Sequence, residues 1–189
     1  MMSVNVAQYF GKGISPKQFM DGMEKNQDVF RTAFEQFTWD NPEDRAFFES
    51  LNFRDDLRVL ILAADWCGDV ARNVPVVFRV METAGIEPEV FILEQHLDFM
   101  DQFLTMGGRS VPVVIVADTG GHVLGKWGPR PAHVQKYMVE FKQENPDREA
   151  PDYQDKLAAT RQNILKAYGE GYEVHAVIVR ELRELMSGF

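Results

Sequence analysis

Residues 57–64 form a compact apolar run that ends abruptly in a polar turn, Asp65-Trp66-Cys67-Gly68-Asp69, and then gives way to residues of helical period, Val74, Val77, Val80 and Met81. A run this short is strand-sized, and the switch of period marks strand, turn and helix in succession. Gly85-Ile86-Glu87-Pro88 breaks the helix, residues 90–93 give a second strand, and residues 96–106 carry Leu97, Met100, Phe103 and Leu104 as a further helical face. The assembly these pieces favour is a parallel βαβ unit with a right-handed crossover. Residues 113–117, a tight turn at Asp118-Thr119-Gly120-Gly121 and residues 122–127 read as a β-hairpin. A helix from about 131 to 143 closes the unit.

Helical patterns lie on both sides. Over residues 15–37, Phe19, Met23, Phe30, Phe34 and Phe37 recur at helical intervals behind Ser15-Pro16, a cap and first turn, so the stretch reads as one amphipathic helix. Asp40-Asn41-Pro42-Glu43 starts a shorter helix through Phe47, Phe48 and Leu51. These aromatics read as core packing. Residues 144–152, with Pro146, Pro151 and mixed charges, form the best linker. Beyond it Leu157, Ile164, Leu165 and Tyr168 give one face, and Val174, Val177, Ile178, Leu182 and Leu185 another; residues 174–179 alone also suit a strand. The expected organisation is a single domain: a helical N-terminal arm (1–56), an α/β core (57–143) and a helical C-terminal extension (144–189). Both sheet faces need cover, and the two flanks supply it. They also offer surfaces for a homodimer.

The function of such a unit is bounded by charge and cysteine content. With 20 basic and 29 acidic residues the net charge is −9, which repels phosphate backbones and anionic lipid, so neither nucleic acid nor membrane is an expected partner. No apolar run approaches the roughly 18 residues of a membrane span. Residues 1–12 show no basic leader with an apolar stretch, and the expected location is cytoplasmic. The single cysteine, Cys67, has no intrachain partner and excludes a cysteine-rich zinc module. His96, His122, His133 and His175 lack metal-ligand spacing, so neither metal nor cofactor is expected.

A cysteine opening a helix faces unpaired N–H groups, which favour thiolate over thiol, whereas Asp65 and Asp69 flank it with like charge. Sequence leaves that balance open. Arg72, one turn along, and Arg109, near the proline loop, are the cations that would tip it; read otherwise, each is a solvated surface charge.

Trp66-Cys67-Gly68 after the first core strand, Pro75 eight residues beyond the cysteine, Val111-Pro112 before the third strand and Gly128 after the hairpin occur together in a βαβαββα order. In that order they resemble the thioredoxin superfamily, over roughly residues 57–143. The turn looks most like that of bacterial thioredoxin-related proteins reading Trp-Cys-Gly-Asp-Cys. The resemblance implies a thioredoxin-like α/β fold with helices on both faces of a mixed sheet. It also implies a cis peptide after Val111, and a substrate groove formed by Trp66, Gly68, Asp69, Val111 and Pro112 around a catalytic Cys67.

The chain departs from this family where a second thiol would resolve the mixed disulfide: that position is Val70. The buried acid that thioredoxins carry six residues before the cysteine is Ile61. Three readings remain. Cys67 acts as a monothiol on a protein or peptide bearing a mixed disulfide, with a low-molecular-weight thiol to resolve it. Alternatively the fold is a non-catalytic module that holds an extended peptide. The third, a one-cysteine peroxidase, lacks the expected upstream Pro and Thr, whose places hold Leu60 and Ala64.

Overall fold

The computed structural model describes residues 4–189. The leader reading of residues 1–12 falls in part on residues 1–3, which lie outside the described residues. Strands β1 (Leu57–Ala63), β2 (Glu89–Ile92), β3 (Val113–Asp118) and β4 (Val123–Trp127) form one mixed sheet in the order β2-β1-β3-β4. β1 runs parallel to β2, with Ile61 opposite Val90, and antiparallel to β3, with Leu57 opposite Asp118; β3 and β4 form the hairpin. The central strands β1 and β3 are almost wholly buried, as continuous apolar runs require when both faces are covered.

Helix α4 (Gly68–Ala84) is the crossover between β1 and β2, and Pro75 lies inside it. Val74, Val77, Val80 and Met81 are fully buried, and so are Val70 and Val76. This helix is apolar on several sides because it is enclosed: the sheet shares its core, and α2 (Gln27–Gln36), α3 (Pro42–Ser50) and α8 (Val174–Met186) pack against it. Phe19, Phe30 and Phe78 meet edge-on or tilted at centroid distances of 5.5–6.4 Å, joining the arm to α4. Helices α6 (Ala132–Glu144) and α7 (Tyr153–Tyr168) pair beyond the hairpin. Residues 174–179, suited to either state in sequence, belong to α8.

The continuous helix expected over 15–37 is two helices. α1 (Pro16–Gly22) carries the capping box of Ser15 and Gln18 and ends at Gly22, and Asn26 takes φ 58° before α2 begins. The chain leaves the helix to reach the turn at Asp65-Trp66-Cys67. The N–H groups of Glu24 and Lys25 donate to Asp65 Oδ2 at 2.8 and 3.2 Å, and Asn26 Nδ2 donates to the Asp65 carbonyl at 2.8 Å. The helix expected over 96–106 shortens to α5 (Leu97–Met100). Phe99, Met100 and Phe103 are the buried set, while Leu97 and Leu104 are exposed. Thr105 and Gly108 exchange backbone hydrogen bonds of 2.9 Å around Met106 (φ 48°) and Gly107 (φ 76°), a tight turn that ends any helix.

Candidate active site

Cys67 is the N-cap of α4, with extended backbone (φ −86°, ψ 120°), so its sulfur lies over the open first turn. The N–H groups of Val70 and Asp69 point at the sulfur. On the other side the thiol donates to the Val111 carbonyl, Sγ to O 3.4 Å. Val111-Pro112 is cis, as is Gly128-Pro129. Gly128 is needed where it stands: its φ is 115°, and a Cβ there would lie 2.3 Å from the Pro112 carbonyl oxygen. Cys67 is half-buried, and neighbouring Trp66 is 49% exposed with its indole N–H donating to Glu94. Gly68 is exposed, with open space where a Cβ would be.

Burial pushes the Cys67 thiol above its ordinary range. The N–H of Val70 opposes this, the Asp69 carboxylate adds to it, and the Asp69 N–H and the Arg130 guanidinium pull it back. The question left open by sequence is thus decided mainly by desolvation, which outweighs the helix terminus. Asp65 does not flank the sulfur as expected, because its carboxylate is spent on the arm's N–H groups. Arg72 and Arg109 are turned to other partners. Arg72 lies over the Tyr168 ring, 5.1 Å from its centroid, and exposed Arg109 makes a forked pair with Asp101 at 2.7 and 3.0 Å. The guanidinium acting on the sulfur is Arg130.

Arg130 belongs to a polar group that sequence reading missed. It holds Asp69 through Nε at 3.0 Å and through a second nitrogen at 2.8 Å, and both side chains are only 15% exposed. Tyr168, buried at the end of α7, donates to Asp69 Oδ1 at 2.7 Å; burial and the Asp69 charge raise its pKa and keep it a donor. Fully buried Asn73 donates to Tyr168 Oη at 2.9 Å and to the Pro129 carbonyl at 3.1 Å, and Gln135 accepts from Arg130 at 2.8 Å. The C-terminal extension thereby reaches the second residue after the cysteine. One signal was legible: Asn73 stands three residues after Val70 and four before Val77, a polar residue at the spacing of the apolar face of α4.

Val70, in the place of a resolving thiol, is fully buried, as is Ile61 on β1. The site therefore presents one sulfur between a helix terminus and the Val111 carbonyl, with room at Gly68 and an aromatic shelf at Trp66. That arrangement suits attack on an accessible sulfur followed by resolution from outside. Among the described residues no group of three His, Cys, Asp or Glu side chains converges, and no helix is long and apolar enough to cross a membrane.

A structure of a Pseudomonas aeruginosa protein of unknown function superposes with a TM-score of 0.66 at 18% identity, covering 98% of each chain. An HIV epitope-scaffold superposes at 0.65 and 17% identity, covering 98% of this chain and 99% of that one. At such identities they bear on fold alone. No curated protein matches the sequence. A thioredoxin family model matches residues 13–148, taking in most of the arm, the sheet, Cys67 and the Val111-Pro112 loop. With so much of the chain inside that match, this protein belongs to the thioredoxin family.

Proposed function

We propose that the protein is a monothiol exchanger working through Cys67 on mixed disulfides. The Cys67 thiolate attacks the outer sulfur of a protein–S–S–R disulfide, forming Cys67–S–S–R and releasing the protein thiolate, which takes a proton from water. A small thiolate then attacks the outer sulfur of R, regenerating Cys67 and leaving a low-molecular-weight disulfide. The observation that carries this reading is the seat of the sulfur: at the N-cap of α4, under two N–H groups and opposite Val111, with an apolar valine where a second thiol would stand. Protein disulfides, which need an internal resolving thiol, fall outside its scope.

A second reading, a peptide-holding module without catalysis, draws support from the raised thiol pKa and the thiol's donation to the Val111 carbonyl. The two separate on Val70→Cys. Val and Cys are close in size, so the change costs less than about 1.5 kcal/mol and restores the Trp-Cys-Gly-Asp-Cys turn. The exchanger reading expects wild type, supplied with a small thiol, to free the protein thiol of a mixed-disulfide substrate and leave a low-molecular-weight disulfide, Cys67→Ser to lose that activity, and Val70→Cys to gain reduction of insulin disulfides. A folded Val70→Cys protein that reduces nothing, with Cys67 resistant to alkylation in both forms, would leave the binding-module reading.

A further inference from the structure

The arm and the C-terminal extension meet over the first turns of α4 around a cavity of about 350 Å³, walled by α2, α4 and the chain that joins α7 to α8. Ala33 of α2, Ala71 of α4 and Val174 of α8 are buried and give it an apolar base, and the exposed Tyr172 ring borders it. Sites for one small molecule have volumes of about 300–1,000 Å³, an apolar lining and a few convergent polar groups. Ala71 donates its N–H to the Cys67 carbonyl at 3.2 Å, so the cavity begins one helical turn along α4 from the cysteine.

The polar groups around this space are unspent. Arg72, Asp28 and Glu170 all line it, yet among the described residues no carboxylate lies within 4.0 Å of the guanidinium and no base within 4.0 Å of either acid. Arg72 is held over the Tyr168 ring instead, which leaves its N–H groups free. Unlike charges thus border one cavity without closing on each other. His175 lines it as well and is only 5% exposed, and neither ring nitrogen has a hydrogen-bond partner among the described residues. Nδ1 is wholly enclosed, so Nε2 is the nitrogen an occupant reaches. A buried polar side chain without a partner requires a physical reason. Burial lowers the His175 pKa to about 4, so the ring that borders the cavity is neutral at neutral pH.

We propose that this cavity binds a free phenolic amino acid, with its carboxylate on Arg72, its ammonium toward Asp28 and Glu170, its ring on the apolar base and its hydroxyl on His175. A dipolar ligand answers both signs at once, whereas a cation alone leaves Arg72 facing like charge and an anion alone leaves two carboxylates doing so. A phenolic hydroxyl both donates and accepts, so it suits Nε2 in either tautomer of the imidazole. The binding involves no covalent step and stands apart from the exchanger reading of Cys67.

Four probes built on one ring test it: L-tyrosine, tyramine (no carboxylate), hydroxyphenylpropionate (no ammonium) and L-phenylalanine (no hydroxyl). Titrated into the full chain, L-tyrosine is expected to shift the amide resonances of Ala71, Arg72, Gly171 and His175 saturably. Each of the other three should bind about fivefold more weakly, the worth of one partly exposed polar contact. Variants then assign the contacts. Arg72→Gln should bring L-tyrosine down to the affinity of tyramine, the pair Asp28→Asn and Glu170→Gln should bring it down to that of hydroxyphenylpropionate, and His175→Phe to that of L-phenylalanine. The wild-type ranking decides the matter even where a variant fails to fold. Amides that do not move saturably with L-tyrosine, four probes that bind alike, or tyramine binding most tightly, which would make this a site for organic cations, each overturn the proposal. L-tyrosine binding that Arg72→Gln leaves unchanged in a folded protein overturns it too.

Discussion

Replacing Asp69 by Asn takes away a like charge beside the Cys67 sulfur and releases Arg130 from its partner, so both changes favour thiolate. The pH midpoint of iodoacetamide alkylation is expected to fall in Asp69→Asn and to rise in Arg130→Gln, where the carboxylate is left uncompensated. Either substitution opens a largely buried ion pair at about 3–5 kcal/mol, which thermal melts would register alongside the alkylation profile. Tyr168→Phe is milder. It removes the donor to Asp69 and the acceptor of Asn73, an expected loss of about 1–3 kcal/mol by denaturant unfolding. Cys67, Trp66, Gly68 and the Val111-Pro112 pair were legible in sequence because the order of the motif carries them, although Cys67 and Val111 are 44 residues apart. The partners of Arg72, Arg109 and Arg130 were not, because a guanidinium finds its carboxylate or ring through the tertiary fold. Arg130 and Asp69 are 61 residues apart, and Tyr168 and Asp69 are 99 apart.

Among the elements, α8 carries a group with a definite acid sensitivity. His175 is buried between Phe37 and Tyr172, Nδ1 has no hydrogen-bond partner, and burial lowers its pKa to about 4. An unfolded imidazole titrates near 6.5. Between about pH 6.5 and 4 the unfolded chain therefore holds a proton that the folded chain does not, and stability declines as pH falls, by up to about 1.4 kcal/mol per pH unit. Above that window the contribution is complete and flat. His175→Phe keeps an aromatic in the seat and should flatten this part of the profile, which urea midpoints in wild type and variant would compare. Strands β1 and β3 and helix α4 were legible because burial on both sides writes itself as continuous apolar sequence. The break between α1 and α2 was not: apolar spacing continues across it through Met23, and what bends the chain is a carboxylate 40 residues away. In α5 the spacing of Leu97 and Leu104 imitated a helix face, while the turn at Met106-Gly107 took the chain elsewhere.

Across the whole molecule one apolar core takes in Phe19, Phe30 and Phe48 from the arm, both central strands, and Ile164, Ile178 and Leu182 from the extension. We therefore expect a single cooperative unfolding transition, with far-ultraviolet circular dichroism and tryptophan emission coincident in urea; separated transitions would assign the arm or the extension to an independent unit. Gly125 on β4 sits under α8, where an added Cβ would lie 2.7 Å from Leu185 and 2.9 Å from Phe189. The arm closes the opposite side of the sheet: Ile14 bridges antiparallel to Val90, donating to its carbonyl at 2.9 Å and accepting from its N–H at 2.8 Å. That two-bond bridge has a consequence for solubility. It occupies the outer rim of β2, where an unguarded row of donors and acceptors would template the strand of another chain. Peeling away the arm would thus unmask a sticky edge beside two very apolar strands, and fibrous or amorphous self-association would then compete with refolding.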